Sequence, residues 1–252
     1  MKPTQIFTFL FSTAWLLSSL SLAGLAQENS SLAEKITSST ERQNQFEYWQ
    51  FIRTDIPIQN HEGLAAWFIP DKLQALTLAR TGSRYQGPGP GIMRYSVGPI
   101  WNFGSHVSAG LLGEFVYLNP DGKTNKREYR IVPELSFKGK LDYNLSWLDI
   151  NWLEYRIFPD TSSFRYRNMA RLNWKLDEKW SPFISDEIFY DFNKGFNQNR
   201  ARIGIGYTFE PGTRLDIGYM ALHRKDSQGW YLDHALTLFL YFSPPASKLI
   251  GD

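Results

Sequence analysis

The chain has 252 residues, no cysteine, and 27 basic against 25 acidic side chains. So even a balance supplies no basic surface for nucleic acid, and the lack of thiols removes both disulfide staples and thiolate metal sites. Aromatic residues nevertheless make up 16% of the chain while its mean hydropathy is negative. A soluble domain buries such rings, whereas a transmembrane barrel sets them in interfacial girdles around a polar interior.

Residues 1–26 read as a secretory signal peptide. Met1 and Lys2 open a short basic stretch, an apolar run covers 6–22, and the small Gly24 and Ala26 suit cleavage after Ala26. An uncleaved anchor is the competing reading, but Ser12, Thr13, Ser18, Ser19 and Ser21 dilute the run. No cysteine follows, which excludes a lipoprotein. Cleavage leaves 26 basic and 25 acidic groups. Residues 27–45 are polar and free of aromatics, and they read as a flexible periplasmic leader.

From Phe46 to Phe242 the sequence alternates apolar and polar residues between turn signals, the period-two mark of a strand with two different faces. In 128–138 one face carries Glu128, Arg130 and Glu134, the other Tyr129, Ile131, Leu135 and Phe137. In 165–175 Arg165, Arg167, Met169 and Arg171 oppose Tyr166, Asn168, Ala170 and Leu172. Segments 200–209 and 214–221 repeat the pattern with Arg200, Arg202, Arg214 and Asp216 against Ile203, Ile205, Leu215 and Ile217. No stretch after the signal reaches the ~18 consecutive apolar residues of a helical span.

The spacing of turns predicts a transmembrane antiparallel up-and-down β-barrel over 46–242, with about twelve strands and ten as the alternative, an even count that returns both termini to the periplasm. In that walk 46–56 rises, 63–69 descends, and 193–198 and 224–231 form long external loops. Segment 138–146 is long where a tight turn is due. Residues 243–252 form a periplasmic tail. The last strand, 234–242, alternates apolar residues and ends on an aromatic, as the recognition signal of the barrel-assembly machinery does. A soluble sandwich or lipocalin-like barrel also alternates. The many arginines interleaved with acids suit a crowded, mutually paired lumen better than a solvated face.

From residue 153 the motifs Leu153-Glu154-Tyr155-Arg156, Phe164-Arg165-Tyr166-Arg167 with Arg171, and Asp186-Glu187-Ile188-Phe189 follow in order. Then come Gly195-Phe196-Asn197-Gln198-Asn199-Arg200-Ala201-Arg202, Gly218-Tyr219-Met220 and His234. Together they resemble the outer-membrane barrels of the domain of unknown function 2490. The resemblance implies a barrel and a membrane, and it supplies no activity.

Strand parity assigns to the lumen Arg94, Glu114, Glu128, Arg130, Glu134, Glu154, Arg156, Arg165, Arg167, Arg171, Glu187, Asp191, Arg200, Arg202, Arg214 and Asp216. Two roles are open to this set. It is either an interlocked network that stiffens the interior or an arginine-lined path that favours anions. Arg202 is expected to pair with Glu187 or Glu154. Parity sends Leu236, Leu238, Leu240 and Phe242 to the lipid, and Thr237 to a lumen whose carboxylates and water are expected to tolerate an arginine there. Asp186 falls on the lipid-facing parity, which a bulge or a rim position would explain. His223 and His234 are expected to flank the last external loop, with His61 and His106 near other connections.

Neither Gly-x-Ser-x-Gly, His-Glu-x-x-His nor a phosphate loop occurs, so no catalytic residue, metal or cofactor is assigned. The expected protein is an outer-membrane barrel of a Gram-negative-type bacterium, either a narrow channel or a structural barrel with an Arg/Glu-lined lumen. Its expected partners are outer-membrane lipids, the assembly machinery and small polar or anionic solutes. A lipid-modifying outer-membrane enzyme and a soluble periplasmic binding barrel are the alternatives.

Overall fold

A computed structural model describes residues 45–58, 69–82, 91–119, 126–141, 144–210, 212–227 and 229–243. The signal peptide, nearly all of the leader, the tail beyond Ser243 and His61 lie outside these residues. Among the described residues eleven strands run in chain order. They are β1 (Phe46–Pro57), β2 (Lys72–Gly82), β3 (Ile92–Phe103), β4 (Val107–Leu118), β5 (Lys126–Lys140), β6 (Leu145–Ile157), β7 (Ser162–Trp174), β8 (Trp180–Asp191), β9 (Gly195–Glu210), β10 (Thr213–Asp226) and β11 (Gly229–Phe242).

Each strand pairs antiparallel with its chain neighbour, and β1 closes the ring by pairing parallel with β11. The expected twelve or ten strands are therefore corrected to eleven. β1 and β2 pair directly from Glu47↔Gly82 to Pro57↔Lys72, so no strand intervenes between them. The expected strand at 63–69 falls, but for Ile69, outside the described residues. Parallel closure follows from the odd count, and it corrects the direction of β1 as well. β1 runs the same way as β11, so it does not rise from the end at which the chain leaves the barrel. The rim where β1 and β11 begin is called here the N-rim, and the rim where they end the C-rim.

Two loops expected to be long are short. Only 192–194 separate β8 from β9, and only 227–228 separate β10 from β11. Polar Gln198, Asn199, Lys225 and Asp226 continue the ladder because backbone pairing does not require apolar side chains. In segment 138–146 the strands extend to Lys140 and from Leu145, leaving 141–144 between them. There Leu141 N–H donates to Leu145 C=O and Asn144 sits at φ 61°. Turn length thus does not distinguish the rims in this half of the chain.

Burial alternates along the strands, as in β5 and β10. The outer wall exposes aliphatic and aromatic residues, with Ile203 60% exposed and Ile184, Leu111, Ile131 and Val97 also open. Rings stand on this wall toward both rims: Trp174, Trp180 and Phe209 at the C-rim, Tyr190, Phe164 and Tyr129 at the N-rim. Inside, one apolar cluster joins Trp49, Phe51, Leu78, Met220, Leu222 and Ala235 across the β1–β11 seam, and another joins Ile100, Leu112 and Val132. Where the chain turns densest, glycine replaces bulk. Gly204 and Gly218 are paired on β9 and β10, and a Cβ on Gly204 would meet the Phe183 ring at 2.6 Å and Ile217 C=O at 2.3 Å.

Candidate functional site

Contacts between strands that are not neighbours must cross the interior of a closed barrel. Arg171 on β7 reaches Asp216 on β10 at 2.6 Å, and Arg156 on β6 reaches Asp191 on β8 at 3.6 Å. Arg200 on β9 lies over Trp49 of β1, 4.7 Å from the ring centroid. Of the charges that parity assigns to the lumen, most join one lattice of buried ion pairs.

Its centre is Glu154, fully buried, on which Arg165, Arg167 (3.3 Å) and Arg130 (3.7 Å) converge. Arg130 also meets Glu128 at 2.7 Å and Glu114 at 3.3 Å, and Arg94 approaches Glu114 at 3.8 Å. Arg156 meets Glu128 at 2.5 Å. Arg167 and Arg200 share Glu187 at 3.5 and 3.0 Å. Glu134 stands apart from the ion pairs and accepts from the Trp152 indole N–H at 2.7 Å. Rings insulate the guanidiniums, with Arg167 4.0 Å from the Trp152 centroid and Arg200 4.2 Å from that of Phe189. Buried and paired, Glu128 and Glu154 each meet more than one guanidinium, an arrangement that holds both partners in place.

A second cluster, absent from the predicted set, ties the seam. Glu47, wholly buried, accepts from Arg80 and Arg224 at 2.9 Å each and from Trp49 Nε1 at 2.6 Å, while Arg224 also meets Asp233 at 2.5 Å. The parity of Glu47, Trp49, Phe51, Arg53 and Asp55 was the available signal. It is masked because aromatic residues occupy the inner face as well as the outer.

Both clusters fill the N-rim half. The C-rim half holds a cavity of about 510 Å³, reaching the β7–β8 turn and walled by Phe51, Leu76, Trp152, Met169, Phe239 and Tyr241. Arg94, Glu114, Glu187, Arg200 and Arg202 face it, so the lattice forms its floor. Asp216, gripped by Arg171 and Arg214 at 2.6 Å each, lines its wall. At the mouth, the backbone N–H groups of Trp180 and Lys179 hold the Asp177 carboxyl below the usual range.

Arg202 departs from expectation. Glu187 is taken by Arg167 and Arg200, and Glu154 by three other arginines, so neither partners it. Thr237 is also tighter than expected. It is 1% exposed and donates to Gly218 C=O at 2.9 Å, leaving no space for a larger residue. On the other side of β11, Leu236 and Phe242 are exposed, and Leu238 and Leu240 half-buried.

Asp186 sits on the outer wall without a bulge, the β8–β9 irregularity falling at Phe189/Tyr190 instead. Its partner is Asn199, which donates at 2.8 Å. Nearby on the same wall Asn151 and Asn168 donate to Asp149 at 2.6 and 3.0 Å, and Tyr166 donates to Asn151 at 2.5 Å. His234 lies on this wall against the Tyr219 hydroxyl, not beside a long loop. His106 stays near a connection, 3.1 Å from Lys138 C=O.

A closed all-β barrel, apolar outside and ion-paired within, is a porin-like architecture. The model of the family described as "Protein of unknown function (DUF2490)" matches residues 75–233, and the chain belongs to that family. Among solved structures, the NanC porin in its rhombohedral crystal form is similar in fold, with a TM-score of 0.50 at 9% identity, over 78% of this chain and 96% of that one. No curated protein matches the sequence.

Proposed function

We propose that the protein is an integral outer-membrane β-barrel of a Gram-negative-type bacterium, exported by a cleaved signal peptide, whose interior is shut to free diffusion. The observation that carries this reading is Glu154, a wholly buried carboxylate on which three guanidiniums converge. Of the two roles open to the lumenal set, the structural one is favoured. Its residues stiffen and plug the N-rim half, and the C-rim half is a cup.

The outer wall supports membrane residence. A band of exposed aliphatic side chains between two sets of rings is costly in water and stable in hydrocarbon. Leu236, Leu238, Leu240 and Phe242 then face lipid. Outer-membrane lipids and the barrel-assembly machinery are the partners this implies.

Refolded protein should float with liposomes and give no steady conductance in a planar bilayer at low voltage. A stable ohmic current from the wild type would overturn the sealed reading, and failure to float would overturn the membrane reading.

A further inference from the structure

Eight of the nine predicted lumenal arginines have a carboxylate within 4.0 Å. Among the described residues, Arg202 does not. It is 9% exposed, and its one hydrogen bond runs from Nε to Ser185 Oγ at a long 3.3 Å. Its guanidinium lies 4.3 Å from the Phe239 ring centroid and 5.1 Å from that of Phe183. Ring faces offer a cation partial compensation only. A buried charge with no carboxylate in contact is costly to a fold, and this one faces the cavity.

The cavity has further unmet polarity. Gln74 Oε1 and Ser96 Oγ, both on its wall, are buried and make no hydrogen bond within the protein. Among the charged and polar residues of the wall stand aromatic and aliphatic ones, Trp152, Leu76, Met169 and Tyr241, with Phe51 stacked on Phe239 at 3.6 Å. The volume, about 510 Å³, lies within the ~300–1,000 Å³ of small-molecule pockets.

We propose that the cup is a binding site for a small organic anion with one carboxylate head and a ring-sized apolar body. Arg202 receives the head, its unused N–H groups donating to the carboxylate. Phe239 and Phe51 pack the body, and Gln74 with Ser96 take a polar substituent on the opposite wall. The site rests on the sealed-barrel reading, because the ion-pair lattice is its floor. An inorganic anion would satisfy Arg202 but leave the apolar wall uncovered, so the body is part of the assignment.

Titration calorimetry on the full mature chain, refolded in a nonionic detergent, tests this with 1-naphthoate, its neutral analogue 1-naphthamide, and inorganic sulfate. The wild type should bind the acid about tenfold or more tightly than the amide, as one charge-assisted buried contact provides, and more tightly than sulfate. Arg202→Met should erase the acid preference while leaving the urea midpoint of the empty barrel unchanged or raised, since it removes an uncompensated charge. Equal binding of acid and amide, no binding of either, or a preference that survives in Arg202→Met would overturn the site. Sulfate binding as tightly as naphthoate would overturn the organic class. Should Arg202→Met not refold, the wild type's ratio of acid to amide decides. A non-conducting barrel without acid preference refutes the ligand site alone, whereas steady conductance refutes the sealed reading.

Discussion

Replacing Glu154 by glutamine keeps the shape at the centre of the lattice and deletes its charge. The consequences differ among the three arginines. Arg130 retains Glu128 and Glu114, and Arg167 retains Glu187. For Arg165, Glu154 is the one carboxylate within 4.0 Å among the described residues. Glu154→Gln therefore orphans one buried guanidinium and weakens two. Breaking a buried pair from one side costs about 3–5 kcal/mol, a large share of the ~5–15 kcal/mol that stabilises a typical fold. Urea unfolding of protein refolded into liposomes, followed by tryptophan fluorescence and by sheet circular dichroism, should show that loss. The double change Glu154→Gln with Arg165→Gln should recover part of it, because the orphan is gone. A single-mutant cost under ~1 kcal/mol, or a double mutant worse than the two singles summed, would refute the claim that these charges hold the interior by mutual pairing.

Leu238→Arg, on the outer face of β11, should cost ~2–4 kcal/mol in liposomes if it lies near the midplane; a penalty under ~0.5 kcal/mol would mean that the wall meets water. Gly204→Ala should lose ~1–3 kcal/mol by overpacking, since its Cβ would press on Phe183 and on the β10 backbone; an unchanged urea midpoint would contradict that close approach. Asp177 should titrate below the ordinary aspartate range in a carbon-detected NMR titration, its turn contacts lasting above the unfolded pKa and lost as pH falls through the lowered folded value. A normal midpoint would count against the two backbone donors.

Parity carried most of what the sequence could tell. In 128–138 and 165–175 one face is charged and the other apolar, so period two alone puts Glu128, Arg130, Arg165 and Arg167 on the charged faces, whose residues pair with one another in the structure. β1 resisted the same logic. Its inner face holds Trp49 and Phe51 and its outer face Tyr48 and Ile52, so hydrophobicity no longer separates the sides. Partner choice was equally hidden. Arg202 and Arg200 share a strand, a face and a residue type, yet only Arg200 lies opposite a carboxylate, Glu187, on β8, while Arg202 lies opposite Ser185. That difference depends on cross-strand register, which no single strand encodes. The strand count failed where long connections adjoin β1 and where closure, a contact between the two ends of the barrel, sets the parity of the whole.

Parallel closure also gives the molecule a polarity that an even-stranded barrel lacks. In an even barrel the first strand enters and the last strand leaves on one side, so both flanking segments share a compartment. Here β1 enters toward the N-rim and β11 leaves at the C-rim, Thr54 lying level with Phe242. Set across a membrane, Phe46 and Phe242 would lie at opposite faces, and an epitope placed at each would be reached by antibody from a different side. The cup shares the side of the C-terminal junction. Which side of the membrane that junction occupies therefore also decides which compartment's solutes reach Arg202.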